Sequence, residues 1–250
     1  MRYILILLSF LSICVPTYAD SEFWYTPGDN LYVLAISGLN LREKADINGK
    51  LAVKVPYGSE LTVLKDTAKP VVFSFDNIDG HWVYADYKGK KGYIFDGYLS
   101  TLPAPELSED SQYPLLDYMH NLSESCGPPE QSEEGGEGLM TSIEKYYFDN
   151  KCTAEISVTY YWTDDPDFTQ EVYTFPMVTR VEEGFILLKA FGYFSGDPMF
   201  VFPAGSMSAK DNQLKLEIQK SAPDLMMHNE NIFIQITADK NGVKIDLRYQ

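Results

Sequence analysis

Two segments decide the fold of this chain: "LYVLAISGLNLREKADINGKLAVKVPYGSELTVL" at residues 31–64 and "HWVYADYKGKKGYIFDGYLSTL" at residues 81–102. Apolar and polar residues alternate in short runs, as in "KLAVKV" and "SELTVL". Period-two alternation is typical of half-buried strands. In "HWVYAD", Val83 and Ala85 are predicted to face the core, while Trp82 and Tyr84 face outward. Five such strands within about 70 residues predict a small β-barrel.

The residues between the strands have turn chemistry. "PYGS" at residues 56–59 and "KGK" at residues 88–90 separate pairs of strands. Gly92 lies inside a strand pattern, which indicates a bulge or a close backbone approach. The segment "KDTAKPVVFSFDNIDG" at residues 65–80 lengthens the loop before Trp82 and is long enough for a hairpin of its own.

Several of these residues occur in the order of a known family. "LNLR" at residues 39–42, Trp82, "GYI" at residues 92–94 and the closing "YL" at residues 98–99 resemble the bacterial SH3 (SH3b) domain. The resemblance covers residues 31–102, less than a third of the chain. It implies a small β-barrel that binds a peptide, peptidoglycan or a protein partner.

The second segment also resembles the second half of eukaryotic SH3 domains. That resemblance implies that Trp82 and Tyr98 correspond to aromatic residues of the proline-binding groove. Phe95 stands at the position where that family has a proline in the groove. Together with the outward-facing Tyr84, these three are the ligand-binding candidates. The opening Ala-Leu-Tyr-Asp-Tyr motif of that family is missing, so half of the groove has no support. The alternative is that the aromatic residues pack on a neighbouring loop or on the second domain.

The first 19 residues have the pattern of a secretory signal peptide. One positive charge, Arg2, precedes an apolar run, and small residues lead to a cleavage site after Ala19. The run is shorter than the ~20 residues that cross a bilayer, so no membrane span is expected after cleavage. The bulky Ile13 before Cys14 disfavours a lipid anchor there. The protein is therefore predicted to be periplasmic or secreted.

Acidic residues are unevenly distributed along the rest of the chain. The net charge is −16, and residues 104–144 carry ten acids and no base. This balance argues against nucleic-acid binding, which requires a basic surface. The composition predicts an acidic linker, rich in Pro, Gly and Ser, at residues 103–138. "PLLDYMHNLSES" within it has near-helical apolar spacing and predicts a short helix.

Residues 139–250 predict an antiparallel, β-rich domain. Runs such as "CTAEISVTYYW", "EGFILLKAFGYF" and "NIFIQITA" are separated by turn residues, and "KNG" at residues 240–242 predicts a hairpin. "LMTSIEKYYF" at residues 139–148 suits either a helix or a strand. The expected fold is mainly β: a small SH3-like barrel followed by an antiparallel β-rich domain, with one or two short helices.

Two cysteines, Cys126 and Cys152, remain after signal cleavage. An even count in an exported chain predicts a disulfide, and two separate thiols are the alternative. Neither cysteine has the signature of a cell-wall cysteine hydrolase, and the sequence contains no Gly-Xaa-Ser-Xaa-Gly elbow.

No catalytic residue, metal site or cofactor is predicted. Two acidic loops, at residues 76–80 and 164–167, have oxygen ligands of the kind that Ca²⁺ prefers, but turn chemistry explains both equally well. The leading hypothesis is a non-catalytic binding protein of the bacterial cell envelope. The alternatives are an envelope hydrolase with its site in the C-terminal domain, and an adaptor whose barrel only packs on that domain.

Overall fold

The structure is a computed structural model that describes residues 24–67, 70–106, 111–136, 138–161, 167–197 and 199–249. The signal peptide predicted at residues 1–19 lies outside the described residues. The same holds for residues 107–110 of the predicted linker and for residues 164–166 of the second acidic loop.

The first of two antiparallel sheets contains the strands predicted for the barrel. Its elements are β1 (Asn30–Val33), β2 (Leu39–Arg42), β3 (Leu51–Val55), β4 (Glu60–Val63), β5 (Val71–Phe75), β6 (Ile78–Tyr87), β7 (Lys90–Phe95), a short 3-10 helix (Asp96–Tyr98) and β8 (Leu99–Ser100). The strand order is β3-β2-β7-β6-β4-β1-β8, and β5 pairs with β6. We call this sheet the barrel, because apolar residues of β2, β3, β4, β6 and β7 share one buried interior.

The predicted alternation is confirmed inside the barrel. Val83 and Ala85 are buried, and Gly92 marks the close approach that its position indicated. A Cβ atom at Gly92 would lie 2.5 Å from the carbonyl oxygen of Arg42, a separation that side chains do not tolerate. Glycine is therefore required where β7 crosses β2.

The segment at residues 65–80 forms the predicted hairpin. Strands β5 and β6 pair from Val71↔Trp82 to Phe75↔Ile78. The two residues between them, Asp76 and Asn77, both have positive φ angles, of 53° and 61°. Positive φ at both central positions is the geometry of a type I′ hairpin turn, which Asp and Asn tolerate.

The second sheet follows in the C-terminal part of the chain. Its strands are β9 (Glu130–Gly136), β10 (Leu139–Tyr147), β11 (Thr153–Tyr161), β12 (Phe168–Phe175), β13 (Glu217–Ser221), β14 (Asp224–His228), β15 (Ile232–Asp239) and β16 (Gly242–Tyr249). Helix α1 (Pro114–Leu122) precedes it, and helix α2 (Val181–Ala190) lies between β12 and β13. The strand order is β13-β14-β15-β16-β12-β11-β10-β9, and every pairing is antiparallel. The mainly β fold class, the helix α1 and the β15–β16 hairpin are confirmed.

Three segments differ from the sequence-based expectation. The run predicted as a strand at residues 183–194 is largely helix α2, since a continuous apolar run does not distinguish a fully buried helix from a strand. Residues 139–147, which suited a helix or a strand, form β10. The end of the predicted linker, residues 130–136, forms the exposed strand β9, which pairs with β10.

Helix α2 joins the two sheets. Gly184 faces the second sheet, where an added Cβ atom would lie 2.8 Å from Cγ2 of Ile236 and 3.1 Å from Cγ1 of Val243. Toward the barrel, the buried Glu183 is hydrogen-bonded to the hydroxyl of Ser100. The buried apolar side chains of both sheets belong to one continuous cluster, so the barrel packs directly on the C-terminal part of the protein.

Candidate functional site

Three of the aromatic candidates, Trp82, Tyr84 and Phe95, lie on the outer face of strands β6 and β7, and Tyr98 follows in the 3-10 helix. The register places Trp82 opposite Phe95, and Tyr84 opposite Tyr93. Residues two apart on one strand share a face, so these four side chains form a continuous aromatic surface. The rings of Tyr84 and Tyr93 are in contact, with centroids 5.1 Å apart.

Strand β5 covers one half of this surface. The centroid of the Phe73 ring lies 5.3 Å from that of Trp82 and 5.2 Å from that of Phe95. The ring centroids of Phe75 and Tyr98 lie 6.4 Å apart. Trp82, Phe95 and Tyr98 are consequently only 4%, 5% and 8% exposed. Trp82 leaves the barrel interior as predicted, but it does not reach solvent, because β5 covers it. The alternative, in which these aromatic residues pack on a neighbouring segment, therefore describes Trp82, Phe95 and Tyr98.

Close backbone packing holds Phe95 in this buried position. A Cβ atom at Gly80 would lie 2.7 Å from Cε2 of Phe95, and one at Gly97 would collide with the same ring. The Phe95 ring thus occupies space that is free only because Gly80 and Gly97 have no side chains. A bulkier residue at either position would push Phe95 outward.

The β5–β6 turn is fixed from two sides. The Tyr98 hydroxyl donates a hydrogen bond to Oδ2 of Asp76, at 2.7 Å. The side-chain amide of Asn77 donates to the carbonyl oxygen of Phe202 in the C-terminal part, at 2.9 Å. In this first acidic loop, Asp76 and Asn77 therefore serve as turn residues and anchor β5 over the aromatic surface.

The other half of the aromatic surface opens into a pocket of about 270 Å³. The pocket is lined by Glu43, Lys44, Ala45, Asp66, Val71, Trp82 and Tyr93. The loop between β2 and β3 forms one wall, the segment leading into β5 forms the other, and Trp82 contributes its remaining accessible surface. Tyr84 lies beside the pocket through its contact with Tyr93.

The β2–β3 loop has a defined shape. Nη1 of Arg42 donates a hydrogen bond to the carbonyl oxygen of Gly49, at 2.7 Å. The backbone N–H of Asn48 donates to Oδ1 of Asp46, at 2.8 Å, and Nζ of Lys50 lies 2.7 Å from Glu43. The arginine of the "LNLR" motif thus stabilises the loop that forms a wall of the pocket.

The pocket combines aromatic rings with acidic side chains. Burial and a hydrogen bond from its hydroxyl to Asp66 raise the pKa of Tyr93, so the tyrosine stays protonated. Glu43 and Asp66 contribute two carboxyl groups, and Lys44 contributes one ammonium group. Glu43 is also paired with Lys50, which lies outside the lining. Carboxylates beside aromatic faces favour a cationic group with an apolar stem.

A second polar group of residues lies buried between the barrel and α2. The Tyr25 hydroxyl donates to the carbonyl oxygen of Leu99, at 3.0 Å, and accepts from Nη2 of Arg180, at 3.2 Å. Arg180 also lies over the Trp24 ring, 3.6 Å from its centroid, and 3.9 Å from Glu183. These contacts connect the N-terminal segment, the barrel and the helix.

His81 and Asp96 extend this buried region. The His81 backbone N–H donates to Oδ1 of Asp96, at 2.6 Å, and Nδ1 of His81 lies 3.5 Å from Oδ2. Burial raises the pKa of Asp96 to about 7, while burial and the charge of Arg180 lower the pKa of His81. The imidazole is therefore neutral at pH 7. Both side chains are almost inaccessible to solvent, so a substrate has no direct access to them.

A larger, more open depression of about 520 Å³ lies between the β5–β6 turn and the loop after α2. Its apolar lining includes Phe200 and Phe202. Lys189 donates to the carbonyl oxygen of Phe200, and Lys220 donates to that of Pro203, at 2.8 Å. These lysines stabilise the loop, and their ammonium groups already donate hydrogen bonds to its carbonyl oxygens. The described residues contain no group of His, Cys, Asp and Glu side chains suited to a metal ion.

The predicted disulfide is wrong, because both cysteines are free. Cys126 is exposed, and its thiol donates to Asp149. Cys152 is fully buried, 3.7 Å from the sulfur of Met177. The two thiols thus lie in different environments, and burial raises the pKa of Cys152 to about 11. This correction supports the alternative of two separate thiols.

The geometry agrees with a comparison against protein families. Residues 37–100 match the family model of the bacterial SH3 domain. The match covers about a quarter of the chain and runs from the start of β2 to the end of β8. No curated protein and no solved structure matches the chain. The sequence-based resemblance is thereby confirmed for the SH3 domain, and the C-terminal part remains without a recognised family.

Of the residues that line the pocket, only Trp82 was among the sequence-based candidates. The residues missed include the three that give the pocket its polar and aromatic character: Glu43, Asp66 and Tyr93. Tyr93 stood within the family motif, and its pairing with Tyr84 follows once β6 and β7 are placed in register. Glu43 and Asp66 carry no motif and meet only through the fold of two loops. Among the described residues, no helix has the length and apolar character needed to cross a membrane.

Proposed function

We propose that this chain is a non-catalytic binding protein of the bacterial cell envelope, and that its SH3 domain binds an extended peptide through the pocket beside Trp82. The peptide belongs to peptidoglycan or to a protein partner, and it carries a basic side chain. The observation that carries this proposal is the pocket itself, where the carboxyl groups of Glu43 and Asp66 stand beside the rings of Trp82 and Tyr93.

The chemistry of the pocket supports a peptide with a lysine-like or arginine-like group. An aliphatic stem gains apolar contact with Trp82 and Val71, while the charged end reaches Asp66 and competes with Lys50 for Glu43. Aromatic rings next to acidic groups bind such side chains through cation–π and ionic contacts together. The envelope location rests on the predicted signal peptide and on the family of the SH3 domain.

Binding measurements on the mature chain, residues 20–250, test the proposal. Retention on purified peptidoglycan and fluorescence titration with labelled lysine-containing peptides are the two readouts. Asp66→Asn and Glu43→Gln each remove one carboxylate at a partly or fully exposed position, and both substitutions keep the size and shape of the side chain. We expect each variant to bind about tenfold more weakly, which corresponds to about 1.4 kcal/mol.

Glu60→Gln is the matched control, because Glu60 is an exposed carboxylate on β4 outside the pocket. Binding by this variant should equal that of the wild type. Equal losses for Glu43→Gln and Glu60→Gln would indicate a general charge effect and remove the pocket from the argument. Binding that survives both pocket variants would favour the adaptor hypothesis, in which the SH3 domain serves to pack on α2.

A further inference from the structure

Strand β5 has an open edge without any charged residue. Its sequence is "VVFSF", and Val71, Val72 and Phe75 are 42%, 60% and 48% exposed. The edge strands of the second sheet differ: β9 reads "EQSEEGG" and β13 reads "EIQKS". Exposed edges of soluble proteins normally carry charges, because a free row of backbone groups pairs readily with another strand. The uncharged edge of β5 is therefore a candidate interaction surface.

The register shows which backbone groups are free. The pair Phe75↔Ile78 closes the two-residue turn, so the backbone of Phe75, and then of Phe73 and Val71, bonds to β6. The N–H and C=O groups of Val72 and Ser74 point away from β6. Among the described residues, no second strand pairs with β5 on that side. The edge thus offers two donors and two acceptors in the geometry of an antiparallel ladder.

We propose that β5 pairs with β5 of a second copy of this chain, around a two-fold axis that passes beside Phe73. In this register Val72 faces Ser74 of the partner subunit, and the two equivalent pairs exchange four hydrogen bonds. The arrangement is self-complementary, as a two-fold interface requires.

Charge supports a second copy as the occupant. The strand itself brings no like charges together. Residues 31–103 carry nine Lys or Arg against eight Asp or Glu, so the part of the chain that contains β5 is close to neutral, whereas the acidic excess lies further along the chain. Most of the repulsion between two copies therefore comes from the C-terminal part rather than from the barrel. Because the net charges of the two molecules still have the same sign, added salt should strengthen the dimer.

Sedimentation velocity on residues 20–250 tests the dimer over about micromolar to millimolar concentrations, the range expected for a small interface. The wild type should show a concentration-dependent dimer. Val72→Lys places a charge on the edge, and Ser74→Pro removes an outward N–H without touching the bonds to β6. Each variant should weaken the dimer at least tenfold while circular dichroism shows a folded chain. Ser132→Lys, an equal charge change on the exposed strand β9, should leave the dimer unchanged.

A cross-link tests the register independently of these variants. Hydrogen-bonded antiparallel pairs have Cα atoms about 5.5 Å apart, which suits a disulfide. Val72→Cys combined with Ser74→Cys, in a Cys126→Ser background, should give a covalent dimer linked between positions 72 and 74 after mild oxidation. A wild type that stays monomeric, a dimer that survives both edge variants, or a link that maps elsewhere would each overturn the proposal.

Discussion

Replacing Trp82 with alanine is expected to destabilise the protein substantially. Trp82 is 4% exposed and in ring contact with Phe73, and removal of a buried aromatic side chain costs about 3–5 kcal/mol. The pocket of about 270 Å³ borders the same side chain, so water can enter the space that the substitution leaves. The penalty for an empty cavity is then reduced, and we expect a loss near the lower limit, about 3 kcal/mol.

Urea unfolding of the mature chain, followed by circular dichroism, measures this loss, and thermal unfolding should show a midpoint lower by about 6–12 °C. Tyr84→Ala is the matched control, because Tyr84 lies on the same strand and face but is only half-buried. The control should lose about 1 kcal/mol. Trp82→Phe should recover more than half of the loss by restoring a ring against Phe73. Equal effects of Trp82→Ala and Tyr84→Ala would refute the conclusion that β5 buries Trp82.

Two further predictions concern titratable groups. Burial raises the pKa of both Asp96 and Glu171 to about 7, so the folded state holds extra protons between about pH 4 and 7. Each carboxyl should therefore reduce the unfolding free energy by about 2–3 kcal/mol between pH 5 and pH 8. Urea unfolding at both pH values should show a flatter profile for Asp96→Asn, which separates this effect from the opposite contribution of His81, whose pKa is lowered. Iodoacetamide should label Cys126 in the native protein and Cys152 only after unfolding. A peptide map with the two cysteines linked would contradict the free thiols.

The strands of the barrel were predictable because their signals are local. Alternation placed Val83 and Ala85 inside, and the position of Gly92 indicated the close contact with β2. Whether the outer face of β6 is exposed or buried was not predictable from these local signals. Alternation shows that Trp82 leaves the barrel interior, but a side chain outside one core can be buried by another segment. Phe73 buries Trp82 in this way. The sequence around Phe73 does not indicate which surface of the barrel this strand covers.

The C-terminal part shows a different limit of sequence reasoning. Helix α2 is apolar on nearly all sides, because one side meets β15 and β16 and the other meets the barrel. Such a helix lacks the amphipathic periodicity that distinguishes a surface helix from a buried strand. The prediction of a linker at residues 130–136, which form strand β9, was wrong for the opposite reason. The acidic sequence of β9 has no apolar face, and its pairing with β10 depends on backbone hydrogen bonds and on polar side-chain contacts such as that of Gln131 with Glu144.

Contacts with α2 and with the loop at Phe202 attach the barrel to the C-terminal part of the protein. Asn77 bonds to the loop at Phe202, and the turn containing Asn77 also anchors β5 over the aromatic surface. Val71, at the other end of β5, lines the proposed peptide pocket. The two ends of the segment from Val71 to Asn77 are therefore placed at the pocket and at the C-terminal part. Because Glu183 and Arg180 also require partners in the barrel and the N-terminal segment, separating the two parts would expose buried charged groups. The SH3 domain and the C-terminal sheet consequently act as one unit, and binding studies on the whole mature chain are the appropriate ones.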